Sequence, residues 1–434
     1  MLPYESADLK VSVIGLGVGY ALVCCLAEAG YQTVGVDVDP KVVANPRSDA
    51  SVGRLLARKG VKERIRQNLK LTTDYSTIEG SKFVIVCVST GDEKKLVLGH
   101  VEQAVRQTLQ VLGNENASAM PIVMVYSTLP FGSSKKLREV FREESVKLDG
   151  QVGYVHFPLM IAQGTTAEDF VNPPFVVFGS YDHDNAKRAM KFYSQFTKRS
   201  ELYSGKPPPV FLGTPEEAEL TKLCANAYLT TKIALANEIG SLCEQLNVNG
   251  QKIMEIVGSD WRIGWKFTRP GYAIGGQCFP RDLRSLIETF RDSHVEPRIL
   301  GGVRNSNEAR ILDPLDKVQG QRVLVLGTSY KECVKDERGS QTQKLIADLR
   351  TRGYSVKTFD PKSSPICDMP RQLKRNDTII VTIPESSFRG IGENLGGQTK
   401  VVLDYANIVD RKLIPRQVRL WKAGFGWLSG EGAL

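Results

Sequence analysis

The chain has 434 residues, is 41% hydrophobic and 24% charged, and carries a net charge of +9. That length suits two or three domains with cores of their own, and the composition is that of a globular protein, neither disordered nor fibrous. No apolar run approaches the roughly 18 residues of a membrane helix, and the basic residues lack the aromatic interleaving that marks nucleic-acid binders.

The opening Met1-Leu2-Pro3-Tyr4-Glu5-Ser6 lacks the basic and apolar pattern of a secretory signal, so a cytoplasmic location is expected. The surplus positive charge is read as solvated surface, or as steering for anionic ligands. Eight cysteines, at 24, 25, 87, 224, 243, 278, 333 and 367, include no C-x-x-C pair and no histidine at ligand spacing. Reduced thiols and no metal site are expected. Cys24, Cys25 and Cys87 lie in apolar runs and read as core residues.

In chain order, Val11–Ile14 reads as a buried strand, Ala21–Ala29 as a helix and Thr33–Asp37 as the next strand, which makes a βαβ opening. Strands are expected at Phe83–Val88, Ile122–Tyr126, Val155–Phe157 and Phe175–Phe178, with helices between them such as Val101–Leu112. The stretch Ser204-Gly205-Lys206-Pro207-Pro208-Pro209 reads as a domain boundary. Thr214-Pro215-Glu216-Glu217 then opens a long helix, with Thr at the N-cap, Pro at N1 and acids in the first turn, running to about Leu246. A second α/β unit starts at Arg322–Gly327 and continues through a helix, Gln341–Arg352, to strands at Val356–Asp360, Thr378–Ile383 and Val401–Asp404. The expected fold class is α/β, with two Rossmann-like parallel-sheet domains, 1–203 and 319–434, joined by a long-helix central domain, 204–318.

Two features carry chemistry. Gly15-Leu16-Gly17-Val18-Gly19 sits between a strand and a helix, as a dinucleotide turn does. Asp37 follows 22 residues after Gly15, where a carboxylate would hold the adenosine ribose diol and disfavour a 2′-phosphate, so NAD is the expected cofactor. The glycine spacing is G-x-G-x-G with Tyr20 at the sixth position, so either Gly19 serves as the third glycine or cofactor binding is impaired. The second feature is Gly275-Gly276-Gln277-Cys278-Phe279-Pro280-Arg281-Asp282, one thiol in a glycine-backed loop with an acid four residues on. A thiolate there can add to an aldehyde, and with a hydride acceptor in the same chain this suggests oxidation through a thioester to an acid. Lys222 and Asn226, four apart on the long helix, share a face where an ammonium and an amide could stabilise an oxyanion, or lie idle in solvent.

With these motifs, and with Ser127-Thr128-Leu129-Pro130-Phe131-Gly132, Glu168–Pro173, Lys222–Glu238 and Gly327–Ser340, the chain resembles the nucleotide-sugar 6-dehydrogenases acting on UDP-glucose, GDP-mannose and UDP-N-acetylmannosamine. The resemblance covers nearly the whole length. It implies a two-NAD, four-electron oxidation of a sugar C6 alcohol to the uronate. Cys278 would be the nucleophile, Asp282 and Lys222 would assist proton transfer and charge stabilisation, Asn226 would hold the reacting oxygen, and Thr128 would position a water. Gly15, Gly17, Gly19, Asp37, Ser127 and Thr128 would bind NAD. Arg262, Lys222, Asn226, Gly275, Lys331 and Arg338 would bind the nucleotide sugar, Arg262 reaching a neighbouring subunit's site. The resemblance therefore implies at least a homodimer, built through the long helix.

Trp261–Phe267 looks like the UDP-glucose branch, while Arg269–Ala273 is similar to the GDP-mannose enzymes. Three positions depart from the family pattern. Leu159 and Gln163 replace acids of the Pro-Glu-Phe-Leu-x-Glu-Gly segment, the first being the glutamate of thioester hydrolysis, and Ala406 replaces a substrate-binding arginine. The alternative reading is thus a catalytically impaired paralogue that binds a nucleotide sugar.

Overall fold

In a computed structural model, the structure describes residues 9–46, 49–91, 95–112, 120–145, 152–158, 160–332, 334 and 336–428. Short runs of β-branched residues buried on both faces require cover on both sides, which parallel sheets obtain from crossover helices. The first sheet contains β1 (Lys10–Ile14), β2 (Gln32–Val36), β3 (Leu69–Thr72), β4 (Phe83–Val86), β5 (Ile122–Val125), β6 (Gly153–His156), β7 (Val176–Gly179) and β8 (Val210–Gly213). Its order is β3-β2-β1-β4-β5-β6-β7-β8, parallel except where β7 runs against β6. Around it lie α1 (Gly19–Glu28), α2 (Pro40–Ala44), α3 (Ala50–Leu56), α4 (Val61–Asn68), α5 (Gly99–Leu112), α6 (Ser133–Ser145), α7 (Thr166–Val171) and α8 (His183–Arg199). One face packs Leu22, Tyr31, Phe83, Phe192 and Phe196, and the other packs Val36, Val86, Val105, Leu109 and Leu137. Strand order reverses between β1 and β4, the place where such sheets open a ligand crevice at their carboxyl ends.

The first sheet continues past the proline-rich stretch that the sequence suggested as a boundary, because β8 pairs with β7 in parallel register. Next comes α9 (Pro215–Leu246), 32 residues and about 48 Å long. Its start is a closed capping box: Glu217 N–H donates to Thr214 Oγ1 at 3.2 Å, and Thr214 N–H donates to Glu217 Oε2 at 2.7 Å. The chain forms two compact units, Met1–Cys224 and Ala225–Leu434, so α9 begins in one and ends in the other.

In the second unit α9 is followed by α10 (Gly250–Ser259), α11 (Cys278–Asp292) and α12 (Arg298–Leu312). A second sheet then runs β10-β9-β11-β12-β13-β14. Its strands are β9 (Arg322–Leu326), β10 (Ser355–Phe359), β11 (Thr378–Val381), β12 (Val401–Asp404), β13 (Arg419–Lys422) and β14 (Gly426–Leu428), the last antiparallel. The helices α13 (Gln341–Thr351) and α14 (Met369–Leu373) accompany it. Val323, Val325 and Leu403 point to one core and Leu324, Leu326 and Val402 to the other, the alternation expected of strands buried on both faces.

Candidate active site

The first unit carries the glycine turn. Gly15 has φ +94°, and a Cβ there would come within 2.5 Å of the Cys87 carbonyl oxygen, so only glycine fits this bend. Gly17 faces open space, leaving the backbone of the turn bare. Gly19 is the first residue of α1, two residues earlier than the sequence suggested, and a Cβ there would meet Val13 at 3.1 Å. The close helix–strand approach expected of a third glycine therefore falls on Gly19, and Tyr20 already lies one residue inside the helix. No side chain caps α1 and no acid occupies its first turn, so its N-terminal amides keep their positive end for an anion. Asp37 directly follows β2, and its Oδ2 accepts from Leu16 N–H at 2.8 Å and its Oδ1 from Asp39 N–H at 3.0 Å. The residue is half-buried.

Beyond β5, Ser127 and Thr128 are buried, and the Ser127 hydroxyl donates to Val88 O at 2.7 Å, tying the loop to the end of β4. Glu219 on α9 is fully buried and spends both carboxylate oxygens on the start of α6: Gly132 N–H donates at 2.7 Å and Ser134 N–H at 2.6 Å. Burial pushes its pKa up against the pull of these donors. Lys222, also buried, follows one turn later.

The second unit carries the thiol. Cys278 is exposed and is the first residue of α11, whose N-terminus has no side-chain cap and no acid in its first turn. A thiolate is favoured at such a position. Before it, a Cβ on Gly275 would lie 1.6 Å from Gln341 Oε1, and Gly276, at φ +84°, lies under the Tyr330 ring. Gly276 N–H donates to Gly339 O at 2.8 Å. The thiol loop is thus laid directly on the first turn of the second sheet. Burial, then the neighbouring Cys278 and Asp336, push the Tyr330 phenol upward, so it stays protonated.

Behind the thiol, Asp282 is fully buried. Its Oδ1 accepts from Arg281 Nε at 3.0 Å and its Oδ2 from Asn226 Nδ2 at 2.6 Å. Its charge is therefore compensated by a guanidinium, and its second oxygen fixes the orientation of the Asn226 amide. Arg262 makes a forked contact with Asp260, Nη2 to Oδ2 at 2.6 Å, and Arg338 does the same with Asp336 at 2.7 Å. Lys331 Nζ lies 5.9 Å from the Tyr330 ring centre.

The second sheet repeats the glycine turn of the first. Gly327 has φ +95°, and Asp360 Oδ2 accepts from Thr328 N–H and Ser329 N–H, both at 2.9 Å. Asp360 is only 2% exposed, however, and Lys362 N–H takes its other oxygen at 2.9 Å.

Three family models match along the chain: the UDP-glucose/GDP-mannose dehydrogenase NAD-binding domain over residues 9–197, the central domain over 216–309 and the UDP-binding domain over 324–411. The chain belongs to the UDP-glucose/GDP-mannose dehydrogenase family. A UDP-glucose 6-dehydrogenase of Haloferax volcanii is 28% identical, over 93% of this chain and 98% of that one. Another, of Pseudomonas aeruginosa, is 30% identical, over 81% of this chain and 79% of that one. The solved UDP-glucose dehydrogenase from Pyrobaculum islandicum superposes with a TM-score of 0.79 at 25% identity, covering 98% of this chain and all of that one.

NAD is the cofactor of this dehydrogenase, and the first glycine turn fits it. Gly15 bends, Gly17 leaves room for a pyrophosphate over the α1 amides, Gly19 packs, and Asp37 retains acceptors for a ribose diol. Of the departures from the family pattern, Gln163 is exposed and Ala406 packs on the second-sheet core, while Leu159 lies outside the described residues. Among the described residues no cluster of His, Cys, Asp or Glu could hold a metal ion, and no helix is long and apolar enough to cross a membrane. Sequence reasoning passed over Glu219, Arg281 and Gln341. Arg281 was visible beside Asp282, but an acid three residues before a lysine, or a glutamine opening a helix, carries no signal until its partner is placed.

Proposed function

We propose that this dehydrogenase oxidises the C6 alcohol of UDP-glucose to the carboxylate, with Cys278 as a covalent nucleophile. The observation that supports this is a thiol at an uncapped helix N-terminus, backed by the Arg281–Asp282–Asn226 network. Alcohol, water and two NAD⁺ give carboxylate, two NADH and three protons.

Bound NAD supplies the hydride acceptor for both oxidations. Lys222 holds its ammonium charge for the C6 oxygen as that oxygen loses its proton. The Cys278 thiolate adds to the aldehyde carbon and the carbonyl oxygen takes the electron pair, giving a thiohemiacetal. Asn226, its amide oriented by Asp282, helps hold that oxygen. Loss of the second hydride leaves a thioester on Cys278. Water held by Thr128 attacks it, the C–S bond breaks, and the thiolate returns to the α11 N-terminus. Leucine at position 159 cannot accept a proton from that water, so hydrolysis is the slow step. UDP-glucose is favoured by the Trp261–Phe267 segment and by the names of the two relatives above.

Incubation with NAD and a panel of UDP- and GDP-sugars, read by absorbance at 340 nm and intact mass, tests this. Two NADH per UDP-glucose are expected, with a sugar adduct on Cys278 building up in the steady state and no adduct in Cys278→Ser. Binding without NADH or adduct for any sugar would instead indicate a non-catalytic nucleotide-sugar binder.

A homodimer is part of the same reading. Tyr228, Leu235, Leu242 and Leu246 on α9, Ile256 on α10, and Trp261 are each more than half exposed, and three of them repeat at sevens. Tyr228, Leu235 and Leu242, seven apart, fall on one side of α9, and exposed apolar side chains in such a row call for cover, which a second copy would supply. Leu242→Asp should halve the mass found by light scattering, and an unchanged mass would sink the assignment of this face.

A further inference from the structure

The segment from Gly271 to Gly276, which delivers Cys278 to its helix, lies in no strand, yet Tyr272, Ala273 and Ile274 are buried. Buried backbone must find partners somewhere. Here it finds them in side chains. Asn237 on α9 accepts from Gly271 N–H at 2.7 Å through Oδ1 and donates to Tyr272 O at 3.0 Å through Nδ2. Arg310 on α12 donates from Nε to Gly271 O at 2.9 Å. Asn307 on α12 grips Ile274 on both sides, accepting from its N–H at 2.7 Å and donating to its carbonyl at 3.0 Å. The next two residues rest on Gln341 and Gly339. An asparagine amide carries one acceptor and a donor pair in a plane, as a peptide group does, so Asn237 and Asn307 stand in for a missing neighbouring strand.

We infer that Asn307, with Asn237 behind it, is a positioning residue that sets the reactivity of Cys278 by holding Ile274, four residues upstream, in place. Neither asparagine need touch substrate for this. With Ile274 fixed on one side and Gly276 on Gly339, the chain is led into α11 with Cys278 as the first residue of a helix that has no side-chain cap and no acid in its first turn. Without the Asn307 grip, two buried polar groups of Ile274 lose their partners. The entry into the helix then loosens, and the thiolate loses part of the helix-end stabilisation. Asp or Ala at position 307 is inadequate for stated reasons: alanine offers neither bond, and aspartate offers an acceptor but turns a second oxygen toward the Ile274 carbonyl.

The inference rests on Cys278 being the reactive thiol, and its test needs neither NAD nor sugar. Alkylation of Cys278 by iodoacetamide is followed by peptide mass across pH in the full-length protein, Asn307→Ala and Asn305→Ala, the last an exposed asparagine on the same helix. The midpoint of the alkylation profile should rise by about half a pH unit in Asn307→Ala, a roughly threefold fall in thiolate fraction at neutral pH, and stay put in Asn305→Ala. An unmoved midpoint in folded Asn307→Ala overturns the inference. If that variant does not fold, hydrogen exchange in the unaltered protein decides. A peptide spanning 271–277 protected as strongly as strand peptides supports the clamp, and exchange at the rate of an open loop overturns it. A shifted midpoint without NADH formation would leave the clamp standing and remove the oxidation chemistry. Full NADH turnover with an unmoved midpoint would do the reverse.

Discussion

Acidification should weaken the first unit through one side chain, His156. It ends β6, is fully buried, and its Nδ1–H donates to the Val125 carbonyl at 3.0 Å. Because the carbonyl can only accept, this bond fixes the tautomer and leaves Nε2 as a bare lone pair with no partner. Protonation would place a second N–H and a full charge in that dry position. Burial accordingly pushes the pKa from 6.5 down to about 4, against a smaller opposing pull from the Val125 carbonyl. In the unfolded chain the imidazole titrates near its ordinary value, so between the two values the unfolded state binds more protons. Stability is then whole above the unfolded value and falls as pH drops toward the folded one. The gap corresponds to about 3 kcal/mol in full, and to about 2 kcal/mol by pH ~5. His156→Phe keeps the ring volume and removes the titration. Calorimetric melts of both proteins from pH ~7.5 to ~5 should show the difference between them shrinking by about 2 kcal/mol, because carboxylate titrations are common to both and cancel. Parallel losses in the two proteins would refute the reasoning, since the imidazole would then find either solvent or an acceptor on folding.

Glu219→Gln places an NH₂ against one of two inward N–H groups at the start of α6, and should cost about 1–3 kcal/mol, read as a lower melting temperature. Gly275→Ala drives a methyl into Gln341 Oε1 and should destabilise the second unit by a similar ~1–3 kcal/mol, with Gln341→Ala in the same chain recovering part of the loss in a double-mutant cycle. Asp37→Ala should weaken NAD about tenfold or more by calorimetric titration while narrowing the preference over NADP. Equal loss for both cofactors would mean that the carboxylate only braces the turn.

Much of the scaffold was legible because its signals are local. Thr214, Pro215 and Glu217 announce α9 within four residues, and the capping box forms as their chemistry dictates. The alternation of short apolar runs with helical stretches gave both sheets, since parallel strands need two apolar faces. β8 was hidden, because three prolines precede it and its residues are only half-buried at the edge of the sheet. The thiol loop was legible as a motif and its support was not. Asn237 and Asn307 lie 34 and 33 residues from the backbone they hold, and no periodicity connects an amide side chain with a peptide at that distance. The glycine spacing was ambiguous for a related reason: whether Gly19 or residue 20 packs on β1 depends on where α1 starts, and helix ends are set by tertiary contact as much as by sequence.

The two glycine turns share their bend and their carboxylate but differ in what that carboxylate has left to offer. Both carboxylates accept backbone N–H groups on each oxygen, but Asp37 is only half-buried whereas Asp360 is 2% exposed. A carboxylate so buried is poorly placed for a second ribose diol, and of the three domain models that match, the one over residues 9–197 is the NAD-binding domain. On the four-electron oxidation proposed above, a chain with one NAD-binding domain would draw its two hydride acceptors one after the other. The spent cofactor would then depart and a fresh one dock while the half-oxidised sugar waits, and the proposed bond to sulfur would tether the reactive aldehyde during that exchange.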